Sequence, residues 1–86
     1  MSTAPEAPAA PPIDALAAEL IATLAIAAEA YLEPRDGQPD VESAILACDI
    51  AGVAFERIAP RFGSDERRTF GALLTNLRLA IVKKRG

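Results

Sequence analysis

This chain has no histidine and no tryptophan, and only one cysteine, one tyrosine and three phenylalanines in 86 residues. Each scarcity closes off a class of chemistry. Without histidine, the usual general base, the commonest metal ligand and the physiological pH switch are missing together. One cysteine makes neither an internal disulfide nor a thiol-rich zinc site. Cys48 also has no base of the right type to activate it, and it falls in mid-helix among apolar residues, so it reads as a core residue. A lone cysteine fits a reducing compartment, and the expected location is the cytoplasm. No Gly-rich phosphate loop is present. The most apolar stretch, Leu20 to Ala28, is closed by Glu19 and Glu29, well short of the ~20 residues of a membrane span. No catalytic residue, cofactor or metal is expected, and the chain does not read as an enzyme.

Residues 1–12, MSTAPEAPAAPP, contain four prolines and nothing bulkier than Met or Glu. Such a segment buries too little apolar area to offset its ordering entropy and reads as a disordered, partly extended arm. It has neither the basic start nor the apolar core of a signal peptide. The rest is rich in Ala, Leu and Ile and poor in aromatics, which favours helix over strand. The expected fold is all-α: one domain over 13–85, an antiparallel three-helix bundle that dimerises, with helices at about 13–32, 41–59 and 65–84.

In the first helix Pro12 stands where a first-turn proline is tolerated, and Asp14 suits the positive end of the helix dipole. At 100° per residue Ile13, Leu16, Leu20, Leu24, Ala28 and Tyr31 form one face, expected to be the covered one, with Ile21 at its edge. Ala15, Ala18, Ala22 and Ala25 form a second, smooth face that invites another helix, and Ile26 sits among glutamates. EPRDGQPD (33–40) is a turn, not a calcium loop, and Asp40 is placed to cap the second helix. That helix is apolar nearly all round. Ile45, Cys48 and Phe55 point one way, and Leu46, Ile50 and Val53 almost the opposite way. Gly52 in its middle suits a close approach by a neighbour. Pro60 and Gly63 end it, and Ser64 is the expected cap of the third helix, with Asp65 and Glu66 in its first turn. Phe70, Leu73, Leu74, Leu77 and Ile81 make the third helix's stripe, with Leu79 and Val82 off it.

Two amphipathic helices cannot cover both sides of the second and also hide Ile26, Leu79 and Val82. The surplus predicts association with protein, either a second copy or another subunit, with the second helix central. The expected interface residues are Leu46, Ile50, Val53, Ile26, Ala18, Ala22 and Leu79.

Charge is distributed unevenly. Up to Glu56 there are ten acidic residues and one basic, a balance of −9; from Arg57 on there are eight basic and two acidic, a balance of +6. The simplest reading is mutual neutralisation, within the chain or across a dimer. Glu42, Asp49 and Glu56 recur every seven residues, about 10 Å apart along a helix, too far to share one metal ion. They are expected to face solvent or to pair with Arg67, Arg68 or Arg78. The alternative function is a small regulatory binder of nucleic acid or an anionic surface, through Arg67, Arg68, Arg78, Lys83, Lys84 and Arg85. A sequence pI near 4.8 and few interleaved aromatics count against it.

Over roughly Thr23 to Val82 the layout resembles a bacterial family of short helical proteins, the domain-of-unknown-function family numbered eighteen forty-four. Leu24, Ala25 and Ala28 followed by PRDGQPD match its alanine-rich first helix and turn. Ala44 with Cys48-Asp49-Ile50 matches its second helix, and Leu73-Leu74-Thr75-Asn76-Leu77-Arg78 its last. The first helix departs from it at Ile26 and Ala27, where a polar residue is usual, and the second ends in Arg57, Ala59 and Pro60 rather than lysines. The resemblance implies the helical fold and a bacterial origin, and it brings no activity with it.

Overall fold

The computed structural model describes residues 10–85. Of the arm expected over 1–12, residues 1–9 lie outside these; Ala10, Pro11 and Pro12 are exposed and non-helical. Three helices follow: α1 Ile13–Leu32, α2 Val41–Ile58 and α3 Ser64–Arg85, with a 3-10 turn Ala59–Arg61 between the last two. No strand occurs among the described residues. The fold is an all-α three-helix bundle.

The ends follow local chemistry. Pro12 precedes α1 without a side-chain cap, and its carbonyl accepts from the Leu16 N–H at 3.2 Å. Between α1 and α2, Gly37 takes a φ of 88°, a left-handed conformation that a β-carbon resists. The Asp40 N–H donates to the Tyr31 carbonyl at 2.8 Å and folds the turn back on α1. Asp40 then caps α2, its carboxylate accepting from the Ser43 N–H at 3.0 Å and the Ser43 hydroxyl at 2.6 Å. At the start of α3 the expected cap is displaced by one residue. Ser64 is already helical, and Gly63 stands at the cap position: its carbonyl accepts from Arg67 N–H at 3.0 Å and its own N–H donates to Glu66 Oε1 at 3.2 Å. That is the reaching-back half of a capping box, for which Glu66 sits at the right spacing.

The hydroxyl bond and then the amide bond from Ser43 hold the Asp40 carboxyl below its ordinary value. A carboxylate lowered in this way contributes its full stabilisation above its ordinary pKa, and the contribution disappears as pH falls through the lowered folded value. Asp40→Ala is therefore expected to lower the melting temperature at neutral pH. The gap to the parent protein should close on acidification through the aspartate range, as followed by circular dichroism; a gap that persists in strong acid would contradict this account of the cap.

α1 and α2 form the tightest pair, and the seam between them is alanine. Five of the thirteen buried hydrophobic residues are Ala25, Ala28, Ala44, Ala47 and Ala51. One core cluster joins Ala25, Ala28, Leu32, Ala44, Ala47 and Cys48 to Leu77 and Ile81 of α3. The other joins Ile21 and Ala51 to Ile58, Phe62 and Leu74. Phe62 is its aromatic centre, 5.5 Å from the Phe70 ring and 6.5 Å from that of Phe55. The α3 stripe lies as expected, with Leu74, Leu77 and Ile81 buried and Phe70 and Leu73 half-buried.

α1 is turned differently from its expected orientation. The residues it buries are Ile21, Ala25, Ala28 and Leu32, while Ile13, Leu16, Leu20 and Tyr31 are exposed. Leu24 is half-buried and packs against both clusters. The alanine seam supplies the reason. Small facing side chains let two helices approach toward the ~8 Å end of the usual interaxial range, and at that spacing large side chains fit only at the margins. The smooth alanine face is thus used within the chain: Ala25 is buried and Ala18 and Ala22 half-buried. Gly52 is buried and does accommodate a close approach, but of a side chain: a β-carbon there would lie 2.8 Å from the Arg78 guanidinium.

Candidate functional site

α3 packs over one side of the α1–α2 pair. The opposite side is uncovered and apolar. On α1 it consists of Ile13, Leu16, Leu20 and Tyr31, with Leu24 and Ala27 between them; on α2 it consists of Leu46, Ile50 and Val53. The periodicity of each helix puts its members on one flank. Their fractional exposure runs from 41% at Tyr31 to 62% at Val53. A shallow groove of about 190 Å³ joins the helices here, lined by Leu24, Ala27, Tyr31, Ser43, Leu46, Ala47 and Ile50. A more open depression continues along Asp49, Ile50, Val53 and Ala54. The Tyr31 and Ser43 hydroxyls are the only side-chain polar groups in the first groove, and neither has a basic partner within it. The lining suits an apolar surface and offers no acid, base or nucleophile set.

The expected interface residues separate under this geometry. Leu46, Ile50 and Val53 lie together on the face. Ala18 does not belong to it: it packs against the Ile21 cluster, about 160° around α1 from Leu20. Ala22 is half-buried on that same inner side. Ile26 is exposed, but about 120° from Leu20 around the helix, and Leu79 is exposed roughly 170° from the buried stripe of α3. Ile26 is an isolated surface residue, and Leu79 has only exposed Val82 beside it on α3; scattered exposure of this kind is common in proteins. What the periodicity of α1 failed to show is that its own best apolar stripe belongs to the exposed face rather than the core.

Acidic residues border this face. Glu42, Asp49 and Glu56 are exposed along the outer edge of α2. The expected pairing with α3 does not form: the ion pairs among the described residues are Asp14–Arg61 at 3.9 Å, Asp65–Arg68 at 3.9 Å and Glu33–Lys84 at 3.1 Å. Arg57 is the base that lies on the α2 stripe itself, at its end.

The basic residues of α3 do not make one surface. Arg67, Arg78 and Arg85 share a side, whereas Arg68, Lys83 and Lys84 point in three other directions. Arg67 donates to the Phe62 carbonyl at 2.9 Å, Arg68 and Lys84 are in the ion pairs above, and Arg78 lies over Gly52 beside Cys48. Cys48 is buried, and desolvation pushes its thiol above the ordinary value, against the opposing charge of Arg78. A raised, buried thiol is a poor nucleophile.

By length and composition alone α1 is apolar enough to cross a membrane, with a mean hydropathy of 1.6. Its place in the fold argues otherwise. Ile21, Ala25, Ala28 and Leu32 complete both core clusters, and Glu19, near the middle of the helix, would be costly to bury in a bilayer.

No family model, curated protein or solved structure matches this chain. Its function is therefore argued from the face itself.

Proposed function

We propose that this protein is a non-catalytic assembly module that pairs with a second copy of itself through the α1–α2 face. The observation that carries the reading is the continuity of that face. Ile13, Leu16, Leu20, Tyr31, Leu46, Ile50 and Val53 are each 41–62% exposed on one side of a two-helix layer, an apolar surface of seven large side chains of the kind that a standard stable interface of ~800 Å² per partner covers. Contiguous apolar patches of this size are uncommon on chains that work alone. The acidic border argues against nucleic acid and anionic membranes as occupants, because Glu42, Asp49 and Glu56 would meet phosphate. Of the bases of α3 only Arg67, Arg78 and Arg85 share a side, and Arg67 is engaged with the Phe62 carbonyl and Arg78 lies over Gly52, which leaves that alternative little free basic surface. The family resemblance read over roughly Thr23 to Val82 brings no activity to set against this reading.

The test is the mass of the full chain by sedimentation equilibrium across micromolar concentrations. A dimer is expected. Leu46→Ala or Ile50→Ala, each counted twice in a symmetric dimer, should weaken it by about 2–3 kcal/mol, roughly 30- to 150-fold in Kd. Helix content should not change, and Leu79→Ala should leave the mass unaltered. A parent chain that stays monomeric throughout this range and melts at a concentration-independent temperature would remove the proposal.

A further inference from the structure

A two-helix face can close on a second copy in two symmetric ways that keep neighbouring helices antiparallel. With the two-fold axis parallel to the helices, α1 lies on the partner's α2. With the axis across the helices, α1 lies on the partner's α1 and α2 on the partner's α2.

The charges distinguish them. The outer edge of α2 carries Glu42, Asp49 and Glu56, exposed and outside every ion pair among the described residues. The outer edge of α1 carries Glu19, Thr23 and Ala30, with a single charge. Stacking α2 on α2 runs two acidic edges side by side, each with Asp49 near its middle. Like charges at neighbouring positions repel, and the apolar surface around them lowers the screening. Arg57 does not relieve this, since it lies at the end of the apolar stripe rather than on the acidic edge, and Arg78 and Arg85 share a groove with Asp49 alone, on its α3 side, leaving Glu42 and Glu56 without a base. Stacking α2 on α1 leaves one like-charge approach per edge, Glu19 near the partner's Glu56, in place of the full acidic row that α2 on α2 brings together.

We infer that the dimer is a four-helix bundle whose two-fold axis runs parallel to the helices, with each α1 seated on the partner's α2. The inference rests on the self-association proposed above. This stacking cannot slide, because an axis parallel to the helices keeps every residue at its own height. The Asp14–Arg61 pair at one end and the Tyr31–Asp40 bond at the other place Leu20 level with Val53, and Leu24 level with Ile50. Leu20 therefore meets the partner's Val53, and Leu24 meets the partner's Ile50.

The experiment uses full-length Leu20→Cys and Val53→Cys chains, each first checked for dimer mass and then mixed in equal amounts with a short bismaleimide crosslinker. Cys48 is buried with a raised thiol and contributes little background. The mixture should yield several-fold more crosslinked dimer than either chain alone, and Asp49→Cys, which this stacking places on opposite edges of the bundle in the two copies, should give little product by itself. Efficient self-crosslinking of Asp49→Cys would place the axis across the helices and overturn this inference, leaving self-association intact. A parent chain that sediments as a monomer would instead remove self-association. Methyl contacts between differently labelled chains of the unsubstituted protein provide the same reading without a cysteine. A Leu20 contact to the partner's Val53 supports the stacking, and a Leu46 contact to the partner's Val53, possible only when α2 lies on α2, refutes it.

Discussion

Ile21→Ala is expected to destabilise the protein by about 2–5 kcal/mol, while Leu20→Ala, one residue earlier, leaves the fold of the chain intact and weakens association instead. The two residues are chemically alike. Ile21 is 0% exposed and packs with Ala51, Ile58, Phe62 and Leu74, whereas Leu20 is 47% exposed on the outer face. Removing three heavy atoms at Ile21 loses their transfer free energy and leaves a cavity that Phe62 and Leu74 cannot fill without abandoning other contacts. A domain of this size has a total stability of roughly 4–11 kcal/mol, so the loss is a large share of it. Urea unfolding at a low, fixed chain concentration measures both variants. Equal losses would mean that α1 is rotated relative to the arrangement described, and the docking face would lose its α1 half.

Ala44→Leu should do comparable harm from the opposite direction. Ala44 is fully buried in the seam, in one cluster with Ala25, Ala28 and Leu32. A leucine there adds three heavy atoms where two backbones have approached closely. The helices must then separate or neighbouring side chains must leave their rotamers, at a cost of about 3 kcal/mol. For a domain this small that corresponds to a fall in melting temperature of roughly 10–25 °C. Leucine is nearly as good a helix former as alanine, so the loss does not come from propensity. Ala72→Leu, at an exposed position of α3, is the control and should change little. If Ala44→Leu melts like the control, the seam is looser than described and the outward displacement of the large residues needs another cause.

The helices themselves were legible, because their limits are set by local chemistry. Pro12, the turn from Glu33 to Asp40 and the Pro60–Gly63 break each stop or start a helix through backbone restrictions that need no tertiary partner. The surplus on α2 was legible too, since a helix apolar on opposite sides exceeds what one neighbouring layer covers, and Leu46, Ile50 and Val53 are indeed the exposed side. The capping of α3 was misplaced by one residue because Gly63 and Ser64 are both acceptable caps, and the Glu66 carboxylate decides between them.

The orientation of α1 was not legible. Its periodicity offers two apolar faces, one of large residues through Leu16, Leu20 and Tyr31 and one of small residues through Ala18, Ala22 and Ala25. Hydrophobicity favours the first, and packing chose the strip between the two, Ile21, Ala25, Ala28 and Leu32. That choice depends on α2, whose facing positions are Ala44, Ala47 and Ala51. The chain's own residues therefore determine that it is helical, where each helix begins and ends to within a residue, and that it has no histidine and a single cysteine to work with. Only the tertiary structure decides which of the two faces of α1 is core, because close approach of two backbones is a property of the pair of helices and is written in neither one alone.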